Sequence, residues 1–311
     1  MIVTTTEITG LKKHITGKVR DVYDLGDRLL IVATDRLSAF DVVLPNGIPD
    51  KGRVLTQLSL FWFELTKGIT DNHLITADVD EIVGELTKAG VADAAQYRDT
   101  LDGRSMIVHK AEPSPIECVV RGYLSGSAWK EFSLLRAQSP GESTVVLHGV
   151  TLSASLAESD KLPAPFFMPA TKEASGHDIN ISREQASEIV GHQYADELAE
   201  KSIGIYTKAG EYAASRGIMI SDTKFEFGKL NGKVILIDEV LTPDSSRFWD
   251  ITLYKPGGPQ PSFDKQYVRD YLETLDWDKT YPGPNLPEEV VSRTSEKYKE
   301  AYRRIVGQEL P

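Results

Sequence analysis

Lys224, Glu226, Asp238 and Arg247 fall within one stretch of the chain, Ile220–Trp249, and their types suit chemistry on a phosphate. The stretch reads Ile-Ser-Asp-Thr-Lys-Phe-Glu-Phe-Gly, then Leu-Asn-Gly-Lys, then Val-Ile-Leu-Ile-Asp-Glu, and ends in Pro-Asp-Ser-Ser-Arg-Phe-Trp. Two strand-like runs flank Asn231-Gly232, which is a hairpin signal. Along the first run Phe225 and Phe227 alternate with Lys224 and Glu226, so one face is apolar and the other charged. Two carboxylates on paired strands, flanked by two cations, suit a hard divalent cation that holds an anionic phosphate. The same residues also fit a solvated hairpin face carrying ordinary charges.

Register separates these readings. A two-residue Asn231-Gly232 turn pairs Glu226 with Ile237, and alternation then turns Glu226 and Asp238 to opposite faces. A three-residue loop, Asn231 to Lys233, pairs Glu226 with Asp238 on one face, because directly opposed residues share a face. The metal reading therefore requires the three-residue loop or a bulge, and the tight two-residue register without a bulge would sink it.

Other segments offer polar groups at useful places. In Gly17-Lys18-Val19-Arg20-Asp21 a glycine beside two cations suits close approach of backbone N–H groups to a polyphosphate, although Gly-Lys pairs also simply begin strands. Thr34–Asp41 is a polar run at the end of an apolar strand, either a place for ligand contacts or a hydrogen-bonded turn. Arg121 ends a buried-looking strand just before a helix start carrying Ser127. Together with free N–H groups they would make a phosphate or carboxylate pocket, or else a plain cap with a surface arginine. Lys172–Asn180, which includes Asp178, has the polar density of a surface loop. No P-loop, no Gly-x-Gly-x-x-Gly fingerprint and no protein-kinase catalytic set occurs, so ATP would need another cradle.

Composition narrows the class. At 311 residues, with 41% hydrophobic and 26% charged content, the chain reads as a globular enzyme with room for two lobes. Apolar runs are strand-sized, so no membrane span is expected, and the N-terminus lacks the pattern of a signal peptide. A formal charge of −11 argues against a nucleic-acid surface. The single cysteine, Cys118, lies in an apolar strand pattern, reads as a buried small hydrophobe and fits a reducing cytoplasm. Six histidines without zinc spacing make a zinc site unexpected.

The elements that must position these residues follow from periodicity. Val19–Tyr23 and Leu29–Ala33 form a hairpin about the turn at residues 24–27, and Val54, Leu55, Leu58, Phe61, Trp62 and Leu65 predict a helix from about Gly52 to Lys67. Strands are expected at Ser105–Ala111 and Ile116–Gly122, joined through two prolines that mark a connection between lobes. A short helix is expected at Ser125–Ala137, and an ordered loop or lid at Pro163–Asn180. A long helical stretch, capped by Ser182 and Gln185, runs to about Arg216 with Gly191, Gly204 and Gly210 as weak points. A Pro/Gly-rich link follows at Lys255–Pro261, and helices at about Asp264–Leu275 and Pro287–Val306 close the chain.

Taken in order, the segments at 17–23, 34–41, 117–129, 221–228 and 238–249 closely resemble SAICAR synthetase, the purine-pathway ligase, in its longer form. The resemblance implies an α+β, two-lobed fold with an ATP-grasp-like and kinase-like nucleotide cleft. Residues 1–115 would form the β-rich ATP-cradle lobe, and 116–311 the lobe with the metal and substrate site. It implies ATP-dependent condensation of carboxyaminoimidazole ribonucleotide with L-aspartate through an acyl phosphate. In that role set Gly17, Lys18 and Arg20 cover the phosphates, Lys110 and Glu112 belong to the hinge that reads adenine, and Glu226 and Asp238 hold Mg2+. Arg121, Ser127 and Arg247 hold the nucleotide, Lys224 stabilises the transferring phosphoryl group, and Asp222 serves as acid/base or positioning residue. Asp41, Lys172 and Asp178 contact substrate and aspartate.

The lid segment departs from the family pattern: the early acid is shifted by one at Glu173, and Ile179 stands where an acid is usual, while Lys172, His177 and Asp178 match. Two other functions compete. A small-molecule phosphotransferase would phosphorylate without aspartate. A regulatory nucleotide-binding module would have no need to keep Lys224, Glu226, Asp238 and Arg247 together.

Overall fold

In the computed structural model, which describes residues 1–172 and 178–311, the first chemistry-bearing segment sits in a five-stranded antiparallel sheet. Its strands run in the order Lys13–Thr16, Arg20–Asp24, Arg28–Ala33, Ser105–His109, Leu74–Thr76. The expected hairpin is present, with Val22 opposite Ile31. The helix expected from Gly52 spans Lys51–Thr66 and buries Val54, Leu55, Leu58 and Trp62 on one face. Gly52 is fixed there by close approach: a Cβ would lie 2.2 Å from the Ala33 carbonyl oxygen. A second helix, Val79–Lys88, was not anticipated among the strands, although its cap is a clear one. The Asp78 side chain accepts the N–H groups of Asp80 and Glu81.

A larger sheet is organised on the long strand Ile218–Leu230, which pairs with Ile116–Tyr123, Lys233–Ile237 and Ser246–Asp250. The stretch expected as a loop from Pro163 begins instead as a strand, Lys161–Phe167, followed by Ala170–Thr171, both on the Ile116–Tyr123 edge. Its prolines are tolerated because the register is irregular between Lys161 and Phe166, where no ladder N–H is required of them. Residues 173–177 lie outside the described residues, and with them the expectations placed on Glu173 and His177. The long helix is divided at Gly191 into Arg183–Val190 and His192–Ser215, whereas Gly204 and Gly210 are carried inside it.

One apolar cluster joins Val54, Leu58 and Trp62 of the first helix to Phe225, Phe227 and Phe248 of the larger sheet and to Tyr298 of the helix Glu288–Val306. Cys118 is buried within it, as expected. No helix among the described residues is long and apolar enough to cross a membrane.

Candidate active site

Asp222, Lys224 and Glu226 occupy alternate positions of the Ile218–Leu230 strand and share a face. Asp222 lies opposite Arg121 and Lys224 opposite Val119 in the adjoining strand, so Arg121 and Glu117 join that face. Arg121 Nη1 donates to Asp222 Oδ2 at 2.6 Å, and Arg247 donates to the same oxygen. Burial works to raise the Asp222 pKa, but Arg247 and Arg121 outweigh it and hold the carboxyl below the usual range. The other guanidinium nitrogen of Arg121, Nη2, donates to Ser127 Oγ at 2.9 Å. Ser127 is in the first turn of the helix Gly126–Gln138, as the hydroxyl-rich helix start implied. Gly126 has φ +60°, and a Cβ there would come within 2.3 Å of Arg247 Nη2, so glycine is what admits the guanidinium. Arg121, Asp222, Lys224 and Arg247 line a cavity of about 190 Å³ together with Lys265 and Arg269, and Ser127 stands behind Arg121.

The hairpin register corrects the expectation set from alternation. Asn231 and Gly232 both have positive φ, the tight two-residue turn, and Glu226 pairs with Ile237 with no bulge between them. The three-residue loop or bulge that the metal reading required is absent, so that reading fails in its first form and depends instead on the backbone at Asp238 itself. Asp238 nevertheless escapes the alternation rule, because the strand ends at Ile237 and Asp238 itself has φ +63°. A left-handed residue turns the chain away from the extended path on which opposite faces are defined. Burial pushes Asp238 up to about 6 against the pull of Arg20, with Glu226 and Glu239 repelling it. Glu226 thus acts on Asp238 by a route other than cross-strand pairing.

Arg20 meets this end of the hairpin from the small sheet. Its Nη2 lies 2.6 Å from Asp238 Oδ2 and its Nη1 3.1 Å from Glu239 Oε1. Lys18 pairs with Asp41 nearby. A second cavity, of about 520 Å³, is lined by Gly17, Lys18, Arg20, Asp41 and Asp178. Lys224, Asp244, Lys265 and Arg269 line both cavities, which therefore adjoin.

A family model described as SAICAR synthetase matches residues 13–284. The phosphoribosylaminoimidazole-succinocarboxamide synthase of Thermodesulfovibrio yellowstonii is 52% identical over 306 residues, covering 98% of this chain and 99% of that one. The chain belongs to the SAICAR synthetase family. A relative of the same name from Desulfosudis oleivorans is 54% identical over 304 residues, with 97% and 98% covered. Among solved structures, SAICAR synthase from Saccharomyces cerevisiae complexed with SAICAR aligns at TM-score 0.86 and 42% identity over 99% of both chains. A SAICAR synthetase in complex with ADP aligns at TM-score 0.64 and 26% identity, covering 95% of this chain and 98% of that one.

Most residues drawn from the SAICAR synthetase resemblance line these two cavities, but Ser127, Glu226 and Asp238 line neither and adjoin them through Arg121, Lys224 and Arg20. Lys172 reaches the site through Glu226, with Nζ 2.7 Å from Oε2. Lys110 and Glu112 are not among the residues lining either cavity. Lys110 Nζ pairs with Asp24 at 2.9 Å, and Glu112 pairs with Lys229 along the sheet edge and borders a separate small cleft. Three residues that sequence reasoning did not single out also belong here. Glu117, bonded to Lys224, is pushed by burial up to about 7 against the pull of that lysine. Its signal was an acid that shares the mostly apolar strand Ile116–Tyr123 with Arg121. Lys265 precedes the helix Gln266–Leu272 as its N-cap and Arg269 lies in its last turn; they gave no local signal beyond two cations four residues apart.

Proposed function

We propose that this chain condenses carboxyaminoimidazole ribonucleotide with L-aspartate at the expense of ATP, giving SAICAR, ADP and phosphate through an acyl phosphate. The observation that carries this reading is the joining of two unlike cavities at Lys224. One offers Arg121 and Arg247, with Ser127 bonded to Arg121, for a phosphorylated nucleotide; the other offers Gly17, Lys18 and Arg20 as a polyphosphate cradle. A phosphoryl group moving between ligands in the two would pass the Lys224 ammonium, whose pKa stays above the usual lysine range despite burial because Glu117 and Glu226 favour the charge.

An oxygen of the nucleotide carboxylate attacks the γ-phosphorus, and the bond to the β,γ-bridging oxygen breaks, releasing ADP. The aspartate amine then bonds to the acyl carbon, the carbon–oxygen bond to phosphate breaks, and nitrogen sheds one proton. Phosphate is a far better leaving group than oxide, which is why ATP is consumed. Arg121 and Arg247 orient the nucleotide, and Asp222, held ionised between them, positions both guanidinium groups and keeps its charge throughout. Asp41, Lys172, Asp178, Lys265 and Arg269 are the groups placed for aspartate and the acceptor carboxylate. Residues 1–115 contribute the cradle and 116–311 the carboxylates and nucleotide anchor. Lys110 and Glu112 are retained as the adenine-reading hinge only in this proposal, since neither borders the two cavities.

Mg2+ fits Glu226 and Asp238. Their charges oppose each other, and such a pair is relieved by a small divalent cation. Among the described residues no group of three or more His, Cys, Asp or Glu could hold a metal alone. Mg2+ commonly takes only one or two carboxylates and fills its shell with phosphate and water. Bound there, the ion would neutralise the ATP phosphates. The buried lone thiol suits a reducing compartment, and we assign the enzyme to the cytoplasm.

Nucleotide labelled with oxygen-18 in its carboxylate tests the route. Label appearing in inorganic phosphate supports the acyl phosphate; label retained wholly in the amide or lost to water rejects it.

A further inference from the structure

Lys51 is fully buried, and its Nζ lies 2.7 Å from Asp244 Oδ2. The same oxygen is 3.0 Å from Lys265 Nζ, while the Tyr298 hydroxyl donates to Oδ1 at 2.7 Å. Two ammonium groups therefore share one carboxylate oxygen, and the triad carries one net positive charge. Asp244 and Lys265 line both cavities, whereas Lys51 lines neither. Burial and the nearby Lys51 work against the Lys265 ammonium and hold its pKa below the usual lysine range, while Asp244 and, less, Glu239, itself engaged by Arg20, favour the charge. Burial works to raise Asp244, yet Lys265 and Lys51 hold it well below the usual carboxylate range, so the acid stays charged between them.

A fully buried lysine is costly and rare without a specific partner. Asp244 would already be matched by Lys265 alone, but that closed pair would cancel the one charge it presents to the cavities. The position of Lys51 is rigidly set: the next residue, Gly52, donates its N–H to Asp35 Oδ1 at 2.9 Å and packs against the Ala33 carbonyl.

We infer that Lys51 is a positioning residue that, by neutralising Asp244 from behind, leaves Lys265 as a net cation for a ligand carboxylate where the two cavities meet. This rests on the ligase reading above, which supplies two carboxylate-bearing ligands, L-aspartate and the imidazole nucleotide.

The test uses the full chain with Lys51→Met, Lys51→Arg and the double variant Lys51→Met/Asp244→Asn. Lys51→Met is expected to raise KM for one carboxylate substrate about tenfold while KM for ATP changes less than about twofold. A rise for L-aspartate assigns its carboxylate to Lys265, and a rise for the nucleotide assigns that one. Lys51→Arg keeps the charge and should restore affinity. Removing Asp244 from the Lys51→Met background restores the net charge and should recover part of the loss, which a merely structural role would not do. Unchanged KM values, equal loss for ATP, or no recovery in the double variant would overturn the inference. If Lys51→Met fails to fold, Asp244→Asn alone serves: a carboxylate KM that stays level or falls supports the charge count, and one that rises overturns it. Aspartate-dependent turnover by the wild-type chain is scored separately, so failure of the ligase reading is distinguishable from failure of this one.

Discussion

Arg20 and Asp238 stand 218 positions apart in the chain and meet with Nη2 2.6 Å from Oδ2. This pair ties the strand that carries the phosphate cradle to the residue that ends the hairpin. It also shows how an acid excluded by strand alternation comes to face the site, for the left-handed backbone at Asp238 aims it at Arg20.

Glu226→Gln and Asp238→Asn are each expected to lower Mg2+-dependent turnover by roughly a hundredfold or more, with little change in thermal stability. Both changes keep the side-chain volume while they remove the charge and turn one acceptor oxygen into an amide donor. Turnover near that of the wild type in either variant would refute the metal assignment.

The legible part of this fold is what period and turn chemistry control. The strands Arg20–Asp24 and Arg28–Ala33, the helix from Lys51 and the break at Gly191 all follow from local pattern. The Asn231-Gly232 turn was equally local, but the metal reading asked it for a looser loop than the residues prefer. Asp238 was unreadable because a positive φ on a non-glycine residue is set by its surroundings, not its own type. Glu117, Lys51 and Lys265 gain their meaning from partners that lie from 21 to 193 positions away. The prolines at 163 and 165 misdirected the reading of that strand, since only the tertiary register shows that no N–H is needed there.

Arg247→Ala should weaken binding of the imidazole nucleotide by about 1.5–3 kcal/mol while ATP affinity changes little, because a partly buried, paired charge is removed from one cavity only. Titration calorimetry with each ligand separately decides it. Equal loss for both would place Arg247 in the wrong pocket.

Gly126→Ala is expected to reproduce most of the Arg247→Ala phenotype without touching a charge. Its new methyl would collide with Arg247 Nη2, and φ +60° is itself strained for alanine. Normal nucleotide affinity in this variant would show that Arg247 sits elsewhere when ligand binds.

Glu117 gives a pH signature. Burial raises its pKa from 4.5 to about 7. A raised carboxyl pKa means the folded state holds its proton longer than the unfolded state. The corresponding stability is fully present below the unfolded value and lost as pH rises through about 7. The size is on the order of 3 kcal/mol. Unfolding curves should therefore show the wild type losing stability relative to Glu117→Gln between about pH 5 and about pH 8. A constant difference across that range would contradict the assignment.

Cys118 is fully buried, and burial drives its thiol well above the usual range. A thiol-reactive probe should label the native chain no faster than the chain opens, and label it fully once denaturant is added. Rapid labelling of the native protein would contradict the placement of this strand.

The most direct test of the central claim is release of ADP and phosphate from ATP, Mg2+ and carboxyaminoimidazole ribonucleotide, measured with and without L-aspartate. Sustained release that requires aspartate and yields the succinocarboxamide is the expected result. Sustained release indifferent to aspartate, or ATP binding without turnover, would contradict it.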